Sequence, residues 1–307
     1  MNEIPVMFAI CFAALFAGAE PAPPILQPAG RITFHGNLKE DKDLSGIARV
    51  GDWLLVVSDE TDHVAVLRMM GDKATLSRNI LLGNAGEEID LEAITTDGST
   101  VYAIGSHGGV RKPKGSVKFH PARDAIYRFT LKADGSASPP ERMNLRAVID
   151  NDPLLKPFSR MPCKEGGVDI EGLAFREGRL HAGFRGPVLP GDLAVVVSFR
   201  FEDPASTAKL LRLPLGGLGI RDLAAVKDGF LLLAGPVGTQ KESFRLAHWD
   251  GRDAPDGKVT LLGTVPNNGD APEGLLLLAE SDTAYEVLIV SDGVSGGSPT
   301  RYRLARP

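Results

Sequence analysis

The stretch Val168-Asp169-Ile170-Glu171-Gly172-Leu173-Ala174-Phe175-Arg176-Glu177-Gly178-Arg179-Leu180-His181-Ala182-Gly183-Phe184-Arg185-Gly186 decides the fold, because imperfect copies of it recur along the chain. Four other copies run from Asp43 to Asp59, Asp90 to His107, Ile220 to Gly235 and Ala271 to Asp292. Aligned on the Glu171 column, they place Ser45, Glu92, Asp222 and Glu273 at equivalent positions, with intervals of 47, 79, 51 and 51 residues. The chain is therefore a repeat array of five copies.

Repeats of about 40 to 50 residues are typical of propeller blades. Each copy consists of an apolar run, a turn with Gly or Asp, and a second apolar run, which indicates a hairpin. Two further strand-like runs follow, such as Ala194 to Arg200 and Lys209 to Leu215 after the third copy. Four strands per repeat predict an all-β, five-bladed β-propeller.

The ends of the chain are expected to meet in one blade. The last repeat supplies three strands only, Glu273 to Ala279, Ala284 to Ser291 and Thr300 to Leu304, whereas Arg31 to Gly36 is strand-like without a partner in its own repeat. We therefore expect this N-terminal strand to close the last blade, which removes free sheet edges. A degenerate blade in the 79-residue interval would give six blades, but Ala147 to Val168, with three prolines, indicates a loop or short helix.

The N-terminal segment resembles a secretion signal. Ile4 to Ala17 is almost wholly apolar and Ala17-Gly18-Ala19 offers small residues for cleavage. We predict a signal peptide at 1–19, a Pro/Ala-rich lead-in at 20–30, one propeller domain at 31–307, and a periplasmic or secreted location. Glu3, with no Lys or Arg nearby, argues against this, and a misplaced start codon or a retained anchor are the alternatives. Only Cys163 would remain, so no intramolecular disulfide can form.

The charge balance narrows the partners. The formal net charge is −5, the pI is about 5.7, and no long basic block is present. Nucleic acid and anionic membrane surfaces are therefore not expected as partners. We expect a monomer.

Propeller topology gathers the ends of the five hairpins at one mouth of the central channel. It makes neighbours of the following pairs: Ser45 and Asp59, Glu92 and His107, Glu171 and Arg185, Asp222 and Gly235, and Glu273 and Asp292. The same rim receives Asp43, Asp90, Asp169, Arg221 and Asp270. Converging carboxylates repel one another unless a cation neutralises them.

Two interpretations of this acidic rim stay open. Ca²⁺ or Mg²⁺ prefers oxygen ligands, so a metal site is predicted from Glu92, Glu171, Glu273, Asp222, Asp59 and Asp292. Alternatively, the recurring carboxylates accept hydrogen bonds from backbone N–H groups of the next blade and fasten the ring.

Two long segments overhang the same mouth. Gly108 to Arg123 is basic and contains Arg111, while Ala147 to Val168 joins blades two and three. Loops of this length are often lids or binding loops. The turn Gly105-Ser106-His107-Gly108-Gly109 could present amides to an anion. A small anionic ligand is the predicted partner, with Arg111, Arg123 and Arg221 as its binding residues.

Several of these segments resemble one bacterial family. They are Asp90 to Ala93, Gly105-Ser106-His107, Arg123 with Tyr127-Arg128-Phe129, and Asp169 to Ala174 followed by Phe184-Arg185-Gly186-Pro187. Together they look like the family catalogued as domain of unknown function 3616. Its Gly-Ser-His motif often continues with Ser, where this chain has Gly108. The Glu-Gly-Leu repeats are more distantly similar to phytase-like, esterase-like propellers, which would imply ester or phosphate-ester hydrolysis.

The sequence lacks a Gly-x-Ser-x-Gly elbow, a P-loop, a His-Glu-x-x-His motif and a convincing dinucleotide fingerprint. No organic cofactor is therefore expected. The enzyme hypothesis is metal-assisted hydrolysis, in which Glu171 helps to hold the cation, His107 acts as general acid or base, and Arg185 and Arg123 clamp the substrate. The alternatives are a non-catalytic binding propeller and a purely structural role.

Overall fold

A computed structural model describes residues 23–307 apart from 114, 239–242 and 268. The predicted signal peptide at 1–19 lies outside these residues. In the described part of the chain, no helix is long and apolar enough to cross a membrane. The fold has one sheet for each repeat, built on four antiparallel strands, with a fifth, parallel strand added to the first; this confirms the predicted all-β propeller.

The strands follow the repeats in chain order. Blade one contains β3 (Leu44–Val50), β4 (Trp53–Ser58), β5 (His63–Met70) and β6 (Lys73–Leu81); blade two contains β7 (Leu91–Asp97), β8 (Thr100–Gly105), β11 (Ile126–Thr130) and β12 (Glu141–Met143). Blade three contains β13 (Asp169–Arg176), β14 (Arg179–Leu189), β15 (Leu193–Phe199) and β16 (Lys209–Pro214); blade four contains β17 (Gly219–Val226), β18 (Gly229–Gly235), β19 (Arg245–Trp249) and β20 (Val259–Thr264). Blade five contains β21 (Ala271–Glu280), β22 (Ala284–Asp292) and β23 (Thr300–Ala305).

The N-terminal strand closes blade five, as predicted. Strand β1 (Pro28–Arg31) pairs antiparallel with β23, so the propeller begins three residues before the expected Arg31. The predicted single strand from Arg31 to Gly36 is in fact divided. Ile32 is buried among blade-one residues, and the following β2 (Thr33–His35) pairs in parallel with β6. One segment therefore seals the junction of the first and last blades.

The long interval between the second and third copies contains no sixth blade among the residues described. A hairpin of β9 (Gly109–Arg111) and β10 (Val117–Phe119) interrupts blade two. After blade two come a short helix α1 (Arg146–Asn151) and two 3₁₀ turns, Lys156–Phe158 and Cys163–Glu165. The expectation of a loop or short helix in this interval is confirmed. A second short helix, α2 (Pro204–Thr207), connects β15 to β16.

Apolar side chains fill the spaces between neighbouring blades. Ile104 and Ile126 of blade two pack with Ile170 and Phe184 of blade three, and all four are fully buried. Strands such as β18 are buried along their whole length, so successive side chains supply apolar surface to both faces of the sheet, as the packing of blade on blade requires.

A β-bulge recurs near the start of every inner strand. Where each inner strand pairs with the second strand of its blade, one residue of the inner strand has no partner in the register. These residues are Ser45, Glu92, Glu171, Arg221 and Glu273. A bulge re-aims the skipped side chain and is often found beside functional sites. Here the bulges place the five side chains in one layer at the channel mouth.

The two residues after each bulge explain the Glu-Gly-Leu repeat. The first is small in four of five blades, because a Cβ on Gly172 would lie 3.1 Å from the Cα of Asp222, and one on Gly274 would lie 3.0 Å from the Cα of Gly46. The second is a buried aliphatic residue, 1–3% exposed: Ile47, Ile94, Leu173, Leu223 and Leu275. A polar layer, a tightly packed layer and an apolar layer thus follow one another down the channel.

Candidate functional site at the channel mouth

Four residues of the polar layer, Glu92, Glu171, Arg221 and Glu273, form the floor of a cavity of about 980 Å³. Charged side chains that line it are Asp59, Glu60, Asp90, Glu92, Arg111, Arg123, Lys164, Glu165, Asp169, Glu171, Arg185, Arg221, Glu273 and Asp292. Nine of these are acidic and five are basic. The structure therefore brings together nine of the fifteen predicted rim residues, and the lining does not include Asp43, Ser45, His107, Asp222, Gly235 or Asp270.

Arg221, and not Asp222, occupies the fourth position of the floor. The bulge in β17 falls on Arg221, so the triplet Arg221-Asp222-Leu223 is equivalent to Glu171-Gly172-Leu173. The sequence alignment matched acid to acid and was wrong by one residue at this repeat. The floor consequently contains an internal cation between two of its carboxylates.

Arg221 bridges Glu171 and Glu273. Its Nε lies 2.9 Å from Oε2 of Glu171, and its Nη2 donates to Oε1 of Glu273. The Arg221 side chain is only 6% exposed, as is that of Glu171. Because this guanidinium already neutralises the two carboxylates, the predicted metal ligands Glu171 and Glu273 are paired with a side chain of the protein.

Arg185 holds the same floor from blade three. Its Nη1 donates to Glu171 Oε1 at 2.6 Å and lies 3.5 Å from Asp169 Oδ2, while its Nε donates to the carbonyl of Val237 at 3.1 Å. Loss of solvation raises the pKa of Asp169 to about 8, with repulsion from Glu171 adding to the shift and Arg185 opposing it. The predicted pairing of Glu171 with Arg185 is confirmed, and it orients Glu171 rigidly.

The basic residues of blade two are also paired. Arg123 Nη1 lies 2.7 Å from Asp90 Oδ2 and its Nη2 lies 2.5 Å from Glu88 Oε1. Arg111 donates to both carboxylate oxygens of Glu165, so it ties the β9–β10 hairpin to the following insertion. Arg111 and Arg123, two of the three predicted anion-binding arginines, therefore line the cavity with their charges already compensated.

Four carboxylates that line the cavity on the side of blades five, one and two lack such a partner among the described residues: Glu92, Asp59, Asp292 and the exposed Glu60. Among the described residues, no basic side chain pairs with Glu92, Asp59 or Asp292, and Asp59 Oδ1 is buried without a hydrogen bond. Loss of solvation, followed by repulsion from Asp90, raises the pKa of Glu92 well above its ordinary value. The same causes raise the pKa of Asp59 to about 7.

Asp222 fastens the ring instead of facing the cavity. Its side chain accepts backbone hydrogen bonds from Leu275 at 2.7 Å, from Leu223 at 2.7 Å and from Leu173 at 3.4 Å, and so joins blades three, four and five. Burial raises its pKa, and the three N–H donors oppose that shift. The metal-ligand prediction was wrong for Asp222, whereas the fastening alternative describes it.

His107 also lies away from the cavity. The chain turns inward at His107 with φ of +54°, and the residue is fully buried. Its Nδ1 bonds to the carbonyl of Gly105 at 2.9 Å, and its Nε2 accepts from the N–H of Leu145 at 3.1 Å. Burial lowers its pKa to about 4. The expected place of His107 at the rim was wrong, because its two ring nitrogens are bonded to Gly105 of its own turn and to Leu145, the residue before helix α1.

The Gly-Ser-His turn does not form an open anion site. The N–H groups of Ser106, His107 and Gly108 donate to Asp90 O, Arg123 O and Ser106 Oγ respectively. The Ser106 hydroxyl itself donates to Asp90 Oδ2, which helps to hold Asp90 at a φ of +58°. These amides are therefore structural.

The described residues offer no cluster of ligands for the predicted metal ion. No three side chains of His, Cys, Asp or Glu stand close enough together there to hold a metal ion. The bulges explain this, because they space the acidic side chains around the ring and insert Arg221 between two of them.

Sequence reasoning missed one wall of the cavity. Pro236 and Phe244 of blade four and Pro162 of the insertion supply apolar surface. Gly235 makes room for the ring, since a Cβ there would lie 2.7 Å from Phe244 Cδ1. The signal available was Gly235 itself, the one second-column residue without a side chain.

Comparison with solved structures identifies similar folds at low sequence identity. Glutaminyl cyclase from Myxococcus xanthus matches with a TM-score of 0.53 and 10% identity, covering 94% of this chain and 98% of that one. The PQQ-bound aldose sugar dehydrogenase of Streptomyces coelicolor matches with a TM-score of 0.47 and 13% identity, covering 92% and 99%. At such identities the likeness concerns the fold alone. No curated protein matches the sequence.

A family model agrees with the resemblance noted in the sequence. The model described as protein of unknown function (DUF3616) matches residues 43–134 and 130–305, which include all five inner strands. Both matched segments contain Glu-Gly-Leu or related triplets that build the floor and the layers below it. The chain belongs to the DUF3616 family.

Proposed function

We propose that the channel-mouth cavity binds a small organic molecule that carries a positive charge. The observation that supports this is that the basic and acidic side chains lining the cavity are unequally ion-paired. Arg111, Arg123, Arg185 and Arg221 are each ion-paired with carboxylates, whereas Glu92, Asp59 and Asp292 have no basic partner among the residues that the structure describes. Carboxylates that converge without a counter-ion favour a cation from solution.

The proposed ligand differs from the anion that the basic loop predicts. An anion would meet nine acidic side chains and five basic ones, four of which are arginines already held by carboxylates. A primary ammonium group would instead receive charge-assisted hydrogen bonds from Glu92 and Asp59. Phe244 and Pro236 offer apolar surface to the remainder of such a molecule.

Glu92 is the residue we propose for any chemistry on the bound molecule. It lies on the floor and loss of solvation raises its pKa, which favours a role as proton donor to the bound molecule. If the reaction is ester hydrolysis, the class expected from the sequence, Glu92 would take the general acid or base role that the sequence analysis gave to His107. Arg185 and Arg221 would keep the neighbouring Glu171 in place.

Export by residues 1–19 stays a prediction.

A thermal-shift panel tests this proposal. We expect benzylamine and putrescine to raise the melting temperature of the wild type, and Glu92→Gln to abolish the shift because it removes the carboxyl group that would pair with the ammonium group and keeps a similar shape. Phosphate and p-nitrophenyl phosphate should give no shift. Glu286→Gln, which changes an exposed carboxylate on β22 away from the cavity lining, is the matched control and should respond like the wild type.

Other outcomes distinguish the alternatives. A shift with Ca²⁺ or Mg²⁺ that is lost in Glu92→Gln, without any shift from amines, would favour the metal site predicted from the sequence. A shift with phosphate esters alone would favour the predicted anionic ligand. Either result would contradict the proposed organic cation.

A further inference from the structure

We propose that the opposite end of the channel is a second binding site, for the carboxylate of a medium-length alkyl chain. A cavity of about 440 Å³ opens there and is lined by the distal halves of the five inner strands. This volume falls within the usual range for small-molecule sites. The site is independent of the proposed function at the acidic mouth.

The floor of this cavity is the apolar layer of the channel. Ile47, Ile94, Leu173, Leu223 and Leu275 project from the five blades and are 1–3% exposed. They close the channel below the tightly packed Gly layer, so the two cavities are separate. An alkyl chain placed on this floor would remove further apolar surface from water.

The rim carries the residues two positions further along each strand: Arg49, Thr96, Phe175, Ala225 and Leu277. Phe175 is held by stacking on Tyr102, with ring centroids 5.6 Å apart. Three of the five rim residues are apolar, and Thr96 is tied to the backbone through Oγ1, which donates to the carbonyl of Arg49 at 3.2 Å. The rim therefore continues the apolar floor on most sides.

Arg49 supplies the charge that selects an anionic head group. It is the one charged residue among those described that line this cavity. Its Nε donates to the carbonyl of Gly51 at 2.7 Å, which fixes the guanidinium, while its two terminal nitrogens have no acidic partner in the described residues. A half-buried guanidinium with free donors beside an apolar floor is complementary to a carboxylate on an alkyl chain.

Calorimetric titration of decanoate, below its aggregation concentration, tests the site. We expect one decanoate per chain, and an affinity that rises about fourfold per CH₂ from hexanoate to decanoate. Arg49→Gln should weaken decanoate binding by about tenfold or more, because a charge-assisted hydrogen bond is lost. Decanol should bind both proteins equally, and decylamine should bind more weakly than decanol.

Controls separate this site from the acidic mouth. Arg303→Gln, an exposed arginine on the outer strands, and Glu92→Gln should both bind decanoate like the wild type. Ala225→Leu, which fills part of the cavity, should weaken both decanoate and decanol. Absence of binding, several weak sites per chain, or equal affinity in Arg49→Gln and the wild type would each overturn the proposal.

Discussion

Replacement of Arg221 by Met should reveal how strongly the floor depends on its internal cation. The substitution keeps the apolar part of the side chain but leaves Glu171 and Glu273 without their shared partner. Both Arg221 and Glu171 are 6% exposed, so solvent cannot compensate. Removing one member of a buried ion pair typically costs about 3 to 5 kcal/mol. At about 2 °C per kcal/mol for a domain of this size, the melting temperature should fall by roughly 6 to 10 °C at pH 8.

The loss should depend on pH in a defined direction. Loss of solvation raises the pKa of Glu273 to about 8 in the folded protein, from about 4.5 unfolded, although Arg221 lowers it. The stability that the protonated carboxyl group of Glu273 contributes is fully present below pH 4.5 and is lost as the pH rises towards 8. Without Arg221, ionisation of Glu273 is still less favourable. At pH 5, where Glu273 is protonated, the free energy of unfolding lost in Arg221→Met should therefore shrink to about 1 to 3 kcal/mol, the cost of unmade hydrogen bonds.

Urea unfolding of both proteins between pH 5 and pH 8 measures this difference. Arg303→Met removes an exposed arginine whose partner Glu286 is half exposed, and it should cost less than about 1 kcal/mol at every pH. If Arg221→Met were as stable as Arg303→Met at pH 8, the reasoning that Arg221 neutralises the floor would be refuted.

Three further substitutions separate structural from functional carboxylates and test His107. Asp222→Ala should lower the free energy of unfolding by about 2 to 4 kcal/mol, because the backbone N–H groups of Leu173 and Leu275 lose their acceptor, and it should leave amine binding unchanged. Glu92→Gln should be as stable as the wild type at pH 5 and more stable at pH 8, since it removes a carboxyl group with a raised pKa; a loss of stability at pH 8 would contradict this. His107→Gln should flatten the decline in stability between pH 6.5 and pH 4, because the folded protein resists protonation of His107, whose pKa is about 4; an unchanged decline by chemical denaturation would count against that assignment.

The architecture could be predicted from the sequence because the repeat carries its own physical reasons. In Glu171-Gly172-Leu173, the first residue faces the mouth, the second permits close approach of the next blade, and the third fills the channel. These requirements recur from blade to blade, with Asp222 in place of a small residue in blade four, and they leave a readable period. Closure by the N-terminal strand followed from counting strands, although the switch of sheets at Ile32 depends on tertiary packing.

The site was only partly predictable, because a shift of one residue in the strand register changes which charged side chain faces the cavity. Matching Asp222 to Glu171 was reasonable by residue type, but the bulge falls one residue earlier and exchanges an acid for Arg221. The inward turn at His107 similarly depends on a positive φ and on a carbonyl and an N–H that no local pattern announces. Ion pairs such as Arg111 with Glu165 join residues 54 apart and emerge only in the folded chain.

Calorimetric titration of benzylamine into the wild type and into Glu92→Gln at pH 7.5 tests the central claim most directly. The account predicts one benzylamine per wild-type chain, with affinity that falls as salt is added, and at least about tenfold weaker binding to Glu92→Gln. Equal affinity for the two proteins, or no binding to the wild type, would contradict the claim that the unpaired carboxylates at the mouth form a site for an organic cation.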